Sequence, residues 1–570
     1  MTMSKPTISN DTPSREANLD GMTMRQKMQF TLLVAGGLLL TITFAVWWFR
    51  PEHIAQNFHG PAHIFDVLIF IVLSYIVWQQ IVMEVFAWYV AAHISHPDHG
   101  TAPSPSLRVA YATAFVPGSE PYDILERTLA AMVAVDYPHD TWLLDEGNDD
   151  TAKALCEKYG VFHFSRKGKS KFNTEEGSFQ RKTKGGNYNS WLHHYKRHYD
   201  ILAQHDVDFI PRKDFLMRTL GYFSDSDVAF VGTPQIYGNL KESWIAHGAA
   251  QQTWGFYGFY QKGFFARDMT LLVGANHILR VAALDDIGGY MAHITEDMLT
   301  GMKLYTHQWK SIYVPEILLV GEGPSTWAAY FGQQMRWAYG CMDIFFRHAH
   351  ELYPKLKVQH IFNYLVLQQF YFSGIAQFAG IVLLTLYFIF GISPASMTLL
   401  PILLLWVPLI IYQVLVNRWL QRFNIDPQSE HGLLWRGRIM FIAAWPIYFL
   451  AFIGVMRGKR LTYVVTPKGD TQATARNPSI FIPHFLLGSV TLLDVIAGYF
   501  LRHDSGQLVF WALLNTALMY GLFYAEALPV LTDILRRNMS LNISRNMYSE
   551  ERYSLSQTSD REIPENAQIL

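Results

Sequence analysis

The sequence predicts an α/β block with a mainly parallel sheet, inserted in an α-helical membrane domain of about six transmembrane helices. Three observations predict this. Apolar runs of about 20 residues, the length a helix needs to cross a bilayer, occur at 30–48, 64–90, 362–390, 398–416, 481–500 and 508–528. A long polar stretch separates the second run from the third. Within it, strand-like and helix-like patterns alternate, as they do in a parallel sheet covered by helices. Composition agrees: 50% of residues are hydrophobic and 16% charged, against roughly 25% charged in soluble domains.

Taken in order, residues 1–27 are polar and lack a short apolar core followed by small residues. A disordered cytoplasmic N-terminus is expected there, not a cleaved signal peptide. Residues 28–92 hold the first two spans. The block 104–324 opens with a buried strand at 108–117, a helix at 122–135 and a second strand at 141–144 that ends at Asp145. A helix at 151–159 and a strand at 161–165 follow. Ligands of such sheets sit beyond the carboxyl ends of the strands, where Pro117-Gly118-Ser119-Glu120 and Asp145-Glu146-Gly147 fall. Residues 325–358 read as an amphipathic aromatic helix at the membrane surface, and 360–417 as spans three and four.

Residues 433–460 are apolar with cationic residues at both ends: Arg436 and Arg438 before, Arg457, Lys459 and Arg460 after. A helix or hairpin lying at the cytoplasmic interface, interruptible at Pro446, is expected, with a seventh span as the alternative. A loop at 461–478, spans five and six at 480–535 and a disordered tail at 538–570 complete the chain. Lys5, Arg15, Arg25 and Lys27 at one end, and Arg536, Arg537, Arg545, Arg552 and Arg561 at the other, exceed the single Arg50 and Arg502 of the opposite loops. Cationic bias therefore places both termini and the polar block in the cytoplasm. A net charge of -1 gives no attraction to nucleic acid. The two cysteines, Cys156 and Cys341, are expected to be free thiols.

Several polar signatures carry chemistry. Asp206-Val207-Asp208 places two carboxylates on one side of a strand end, suited to a hard divalent cation that also binds phosphate oxygens. Thr295-Glu296-Asp297 opens a helix at 298–306. Thr295 can cap that helix and the acids favour its dipole, yet the same position suits Asp297 as a general base. Position alone does not separate the two. Gln333, Arg336 and Trp337 share one helical face at i, i+3 and i+4, where an arginine clamps pyrophosphate and an indole supports a sugar ring. Lys184-Gly185-Gly186-Asn187 offers a cation and backbone that phosphate can approach. Val465-Thr466-Pro467-Lys468-Gly469 offers Thr466 and Lys468 on a loop that reads as a lid or an ordinary turn.

In this order the signatures resemble those of the bacterial cellulose synthase-like branch of the inverting, processive family 2 membrane glycosyltransferases, which make cellulose, curdlan or mixed-linkage β-glucan. The resemblance runs from about residue 30 to residue 535 and implies a GT-A type domain. It implies that Asp145 contacts uridine, Asp206 the diphosphate, Asp208 a Mg²⁺ or Mn²⁺ ion, and that Asp297 is the catalytic base with Glu296 and Lys184 at the substrate. It further implies that Gln333, Arg336 and Trp337 hold diphosphate and acceptor, and that 461–478 is a gating loop. Departures are Glu146, where many members have a second Asp, and Phe209, where a metal-binding His is common. An oxygen-rich site favours Mg²⁺. Only a polar tail follows the last span, so control by cyclic di-GMP is expected to come through another chain.

The expected function is polymerisation of glucose from UDP-glucose and passage of the β-glucan across the plasma membrane. A UDP-N-acetylglucosamine-using chitin or hyaluronan type synthase is the alternative, and a non-catalytic channel or transporter the reading from another class. Asn363, Tyr364, Gln368, Gln369 and Gln377 in the third span suggest a neutral lining that suits a neutral glucan. Linkage, oligomeric state and regulatory or periplasmic partners are not written in these residues.

Overall fold

The computed structural model describes residues 21–97, 102–458, 477–502, 506, 508–529 and 531–532. The expected gating loop, with Thr466 and Lys468, lies outside these residues except at its end, as do most of the N-terminal segment and all of the tail.

Ten strands form within the polar block: β1 (Val109–Phe115), β2 (Asp140–Asp145), β3 (Phe162–Phe164), β4 (Ile201–Asp206), β5 (Ile210–Pro211), β6 (Val228–Gly232), β7 (Ile236–Tyr237), β8 (Asn276–Arg280), β9 (Lys310–Tyr313) and β10 (Leu319–Gly321). The main sheet has the order β3-β2-β1-β4-β8-β6-β9, and β5-β10-β7 make a small second sheet. All neighbours in the main sheet are parallel except β8, which runs against both β4 and β6. The expected mainly parallel sheet is present, with one reversed strand that periodicity does not signal.

Local sequence explains the first elements. Strand β1 is apolar or small throughout and almost wholly buried, so both its faces are covered by helices. The helix Tyr122–Val133 buries Ile124, Leu125, Thr128, Leu129 and Met132, a stripe at i and i+4. Asp149 caps the helix Asp150–Tyr159 by accepting from the Ala152 amide at 2.9 Å, and Gly160 ends it at φ +68°. Register then sets the site. Phe115 pairs with Asp145 and Ala114 with Asp206, so both acids stand at the carboxyl edge on either side of β1.

Among the described residues, seven helices are long and apolar enough to cross a bilayer: Met24–Trp48, Gly60–Ala91, Ser373–Phe390, Leu399–Phe423, Trp435–Met456, Pro478–Leu501 and Leu508–Pro529. Two expectations change here. The run at 362–390 is not one helix. It divides into Val358–Tyr371 and Ser373–Thr385, where Gly374 lies so close to the Trp435–Met456 helix that an added Cβ would stand 2.6 Å from the Phe449 amide. The segment at 435–456 is one continuous helix with no hairpin at Pro446.

That helix runs beside Trp327–Asp343 along its whole length. Tyr330 donates to the Met440 carbonyl (3.3 Å), Tyr448 donates to Gln334 (2.8 Å), and Gly454 abuts Tyr339. One buried cluster therefore contains Phe115 and Leu143 of the sheet, Tyr330 and Met342, and Ala444 and Tyr448. The α/β block and the apolar helices share a core.

The Trp327–Asp343 helix seats directly on the Thr295–Asp297 turn, because a Cβ at Gly340 would lie 2.4 Å from the Thr295 side chain. Replacing Gly340 by valine is expected to cost about 1–3 kcal/mol by overpacking. The measurement is thermal unfolding of the detergent-solubilised protein; an unchanged midpoint would contradict the contact.

Candidate active site

Lysine 184 organises the site. Thr183 caps its helix, Lys184–Tyr195, by accepting from the Gly186 amide at 3.0 Å. The Lys184 ammonium is 2.6 Å from Asp206 Oδ1, 2.6 Å from the Gly274 carbonyl and 4.0 Å from Glu296. Gly274 precedes the reversed strand β8, and its amide donates to Asp297 Oδ2 at 2.7 Å; the Met298 amide donates to Oδ1 at 2.8 Å. A Cβ at Gly274 would lie 3.0 Å from that carboxylate. Strand β4, the β8 turn and the Glu296–Thr306 helix are thus joined around one cation. Asp208 is buried and accepts from the Glu322 amide at 3.3 Å.

Burial raises the pKa of Asp297, opposed by its two backbone amides and by Lys184. Burial also raises Glu296, with the Asp297 charge second and Lys184 again opposing. Burial thus disfavours the charged form of both carboxyls, and at Glu296 the Asp297 charge adds to it.

Asp206, Asp208, Lys184, Glu296, Asp297, Gln333, Arg336 and Trp337 all line one cavity of about 1840 Å³. It does not end at the sheet. Gln369, Gln377 and Asn417 line it among the apolar helices, as do Trp48, Trp406 and Trp511.

The structure departs from the sequence expectations at several residues. Asp145 is fully buried and does not reach the cavity wall; the Gly147 amide (2.7 Å), the Asp149 amide (2.5 Å) and His163 (3.0 Å) occupy its carboxylate. It shapes the loop, and Glu146 faces the cavity instead. Thr295 makes no capping bond; its hydroxyl meets His293 Nδ1 at 3.0 Å. Gly185 and Gly186 serve packing, because a Cβ at Gly186 would stand 2.2 Å from the Gln180 carbonyl and one at Gly185 2.8 Å from that of Met291. Phe209, in place of an imidazole, packs on Gly321. Of the expected neutral lining only Gln369 and Gln377 face the cavity. Asn363 accepts from Arg267 (3.1 Å) and Gln368 from Tyr353 (2.5 Å), while charged Glu84 and Arg438 do line it.

Arg166 has a role that sequence reasoning misses. Fully buried, it pairs with Glu146 at 2.7 Å and donates to the carbonyls of Phe172, Gln180 and Thr183, fastening the loop that leads to Lys184. A lone arginine in a polar stretch gives no pattern to find it by.

Asp206 and Asp208 bring two carboxylates, hard oxygen donors, to the cavity wall, which suits Mg²⁺ or Mn²⁺. Residues 201–412 match the model of glycosyl transferase family group 2. Over 168 residues the chain is 40% identical to a UDP-forming cellulose synthase catalytic protein of Dictyostelium discoideum, covering 28% of this chain and 16% of that protein. It is 26% identical over 365 residues to the UDP-forming cellulose synthase catalytic subunit of Pseudomonas fluorescens, covering 62% of this chain and 47% of that one. Among solved structures, the mannosyltransferase PcManGT of Pyrobaculum calidifontis in complex with GDP-Man and Mn²⁺ aligns with a TM-score of 0.44 at 13% identity, over 69% of this chain and 100% of that one. This chain spans less than half the length of these two curated relatives.

Residues 201–412, which include part of the α/β block, are therefore similar to glycosyl transferase family group 2, and that block is built on a mainly parallel sheet. The described residues hold seven helices long and apolar enough to cross a membrane, and part of the chain is similar to cellulose synthase catalytic subunits.

The raised acids give a pH signature. Transfer that needs ionised Asp297 is expected to lose rate on the acid side above the ordinary carboxyl range of about pH 4. Lys184→Met removes an opposing charge and is expected to move that limb up in the residual activity, whereas Lys184→Arg leaves it in place. Sugar incorporation against pH at saturating donor reads this. A limb at or below pH 4, or one indifferent to Lys184→Met, contradicts it.

Proposed function

We propose that the protein is an inverting, processive synthase that polymerises glucose from UDP-glucose into a β-glucan and passes the chain across the plasma membrane. The observation that carries the proposal is the single cavity that holds Asp208, Asp297 and Trp337 and continues among the apolar helices to Trp406 and Trp511. A transferase that only decorates a soluble acceptor has no use for that continuation.

In this reading Asp206 and Asp208 hold the divalent cation, which when bound neutralises charge on the leaving diphosphate. Arg336 and Lys184 are the cations on the cavity wall that face the same phosphates. Asp297 takes the proton of the acceptor hydroxyl. Its two amide donors hold the carboxylate in one orientation, and burial keeps it basic enough to act. Attack by that hydroxyl on an α-linked donor, opposite the leaving group, yields a β-linkage. Trp337 and Gln333 share the cavity-facing side of their helix and support the acceptor sugar at the entrance to the apolar part. Asp145 acts from below, by shaping the loop that carries Glu146. Thr466 and Lys468, expected on a loop that closes over the donor, remain assigned by resemblance.

The cationic bias of the termini supports a cytoplasmic catalytic block and cytoplasmic termini, with six spans. The helix Trp435–Met456 is assigned to the interface, because it follows the surface helix Trp327–Asp343 along its length and also packs against the Trp244–Gly255 helix of the catalytic block.

Purified protein in vesicles, given labelled UDP-glucose or UDP-N-acetylglucosamine with Mg²⁺, tests the reading. Glucose polymer degraded by β-glucanases and protected inside or outside the vesicle according to orientation is expected. Incorporation of N-acetylglucosamine alone would overturn the glucan assignment. Asp297→Asn is expected to retain UDP binding and lower turnover by about 100- to 10,000-fold. An active Asp297→Asn enzyme removes Asp297 from the base role.

A further inference from the structure

Behind the Thr295–Asp297 turn, outside the donor cavity, stands a cluster that the transfer reaction does not use. His293 lies in the loop before the Glu296–Thr306 helix, Asp343 ends the Trp327–Asp343 helix, and His348 closes the π-helical turn Ile344–His348. The ligand-capable atoms of these three side chains lie within 4.8 Å of one another, and none of the three lines the cavity. π-turns of this kind recur at functional sites, because the extra residue re-aims a side chain.

We propose that His293, Asp343 and His348 bind a transition-metal ion, zinc foremost, at a site separate from the Mg²⁺ or Mn²⁺ position at Asp208. The donor set argues for the metal. Two imidazoles and one carboxylate form a borderline-soft set that favours Zn²⁺ over Mg²⁺, with the remaining position left to water. The spacing agrees. His293 Nε2 stands 3.1 Å from Asp343 Oδ2, close to the edge of about 3.3 Å that separates two ligands of a tetrahedral zinc with bonds near 2 Å.

The outer shell is in place as well. Thr295 meets His293 Nδ1 with both its hydroxyl (3.0 Å) and its backbone amide, which donates at 3.2 Å, so the ring is fixed with Nε2 towards the cluster. Arg347 lies 3.2 Å from the other Asp343 oxygen. Both members of the His293–Asp343 pair are about nine-tenths buried, at 10% and 9% side-chain exposure.

Such an ion would join the chain four residues before Asp297 to the far end of the helix that carries Arg336 and Trp337. It would hold the base's turn against the acceptor platform without touching either substrate. Zinc binding itself does not depend on the glucan reading, since it is measured without donor or acceptor.

The test uses the full-length protein in detergent, with any metal-affinity tag removed, stripped with chelator and titrated with Zn²⁺; metal content is read by mass spectrometry. Co²⁺ substitution adds a visible ligand-field band. Equimolar zinc and a tetrahedral cobalt band are expected in the native protein and in Asp208→Asn. His348→Ala and His293→Ala are expected to weaken zinc binding by about 100-fold or more, beyond the usual loss of an outer-shell partner. His348→Gln, which keeps a polar side chain, guards against loss by misfolding: it is expected to unfold at the same temperature as the metal-free native protein yet fail to bind. Absence of zinc from the native protein, or zinc retained equally by the His348 and His293 variants, would overturn the site.

Discussion

A single ammonium group holds the catalytic half of this molecule together. Lys184 reaches Asp206 on one strand, the Gly274 carbonyl at the start of the reversed strand, and the neighbourhood of Glu296 on a helix. An enclosed set of carboxylates repels itself and resists ionisation unless a cation stands among them. Without Lys184, the acids at the carboxyl edge of the sheet and those at the Glu296 helix would not share one small volume at neutral pH. The Asp297 carboxylate is placed one step further out, through the Gly274 amide. The position of the Asp297 carboxylate thus depends on a backbone turn, and a Cβ at Gly274 would press on that carboxylate at 3.0 Å.

The second constraint is the close seating of helices on that charged centre. Gly340 lets the Trp327–Asp343 helix rest on Thr295, and Gly374 lets the Ser373–Thr385 helix approach the Trp435–Met456 helix. The consequence is a core that passes without interruption from the sheet to the apolar helices. The cavity follows the same path. A polar mouth formed by Asp208, Asp297 and Arg336 opens onto walls supplied by Gln369, Gln377 and Trp406. The acids at the sheet edge and the space between the apolar helices are in this way parts of one cavity.

Much of this is legible from local patterns. The strands β1 to β3 and the helices between them follow from buried apolar runs, amphipathic spacing and the Asp149 cap, all of which are short-range. Asp206, Asp208, Asp297, Arg336 and Trp337 stand out in the sequence for their chemistry, and they do meet in the cavity. Other features are not legible, for identifiable reasons. The direction of β8 leaves no trace in its periodicity, since a buried strand reads the same both ways. Asp145 sits at the expected strand end, yet the amides of its own loop turn its carboxylate inward, and a residue string does not show which way a loop closes. The run at 362–390 looks like one span because hydropathy does not register the tight approach at Gly374. Arg166 carries no pattern; its role exists only once four separate carbonyl and carboxylate groups surround it.

The central claim is that the transfer site and the passage between the apolar helices form one continuous space occupied by the growing product. The most direct measurement is an electron cryomicroscopy reconstruction of the protein in nanodiscs during turnover with UDP-glucose and Mg²⁺. The account predicts unbroken polymer density that begins against Trp337 and runs between the helices past Gln377 to Trp406. Density that leaves the site along the cytoplasmic surface, or product with an empty interior, would contradict it.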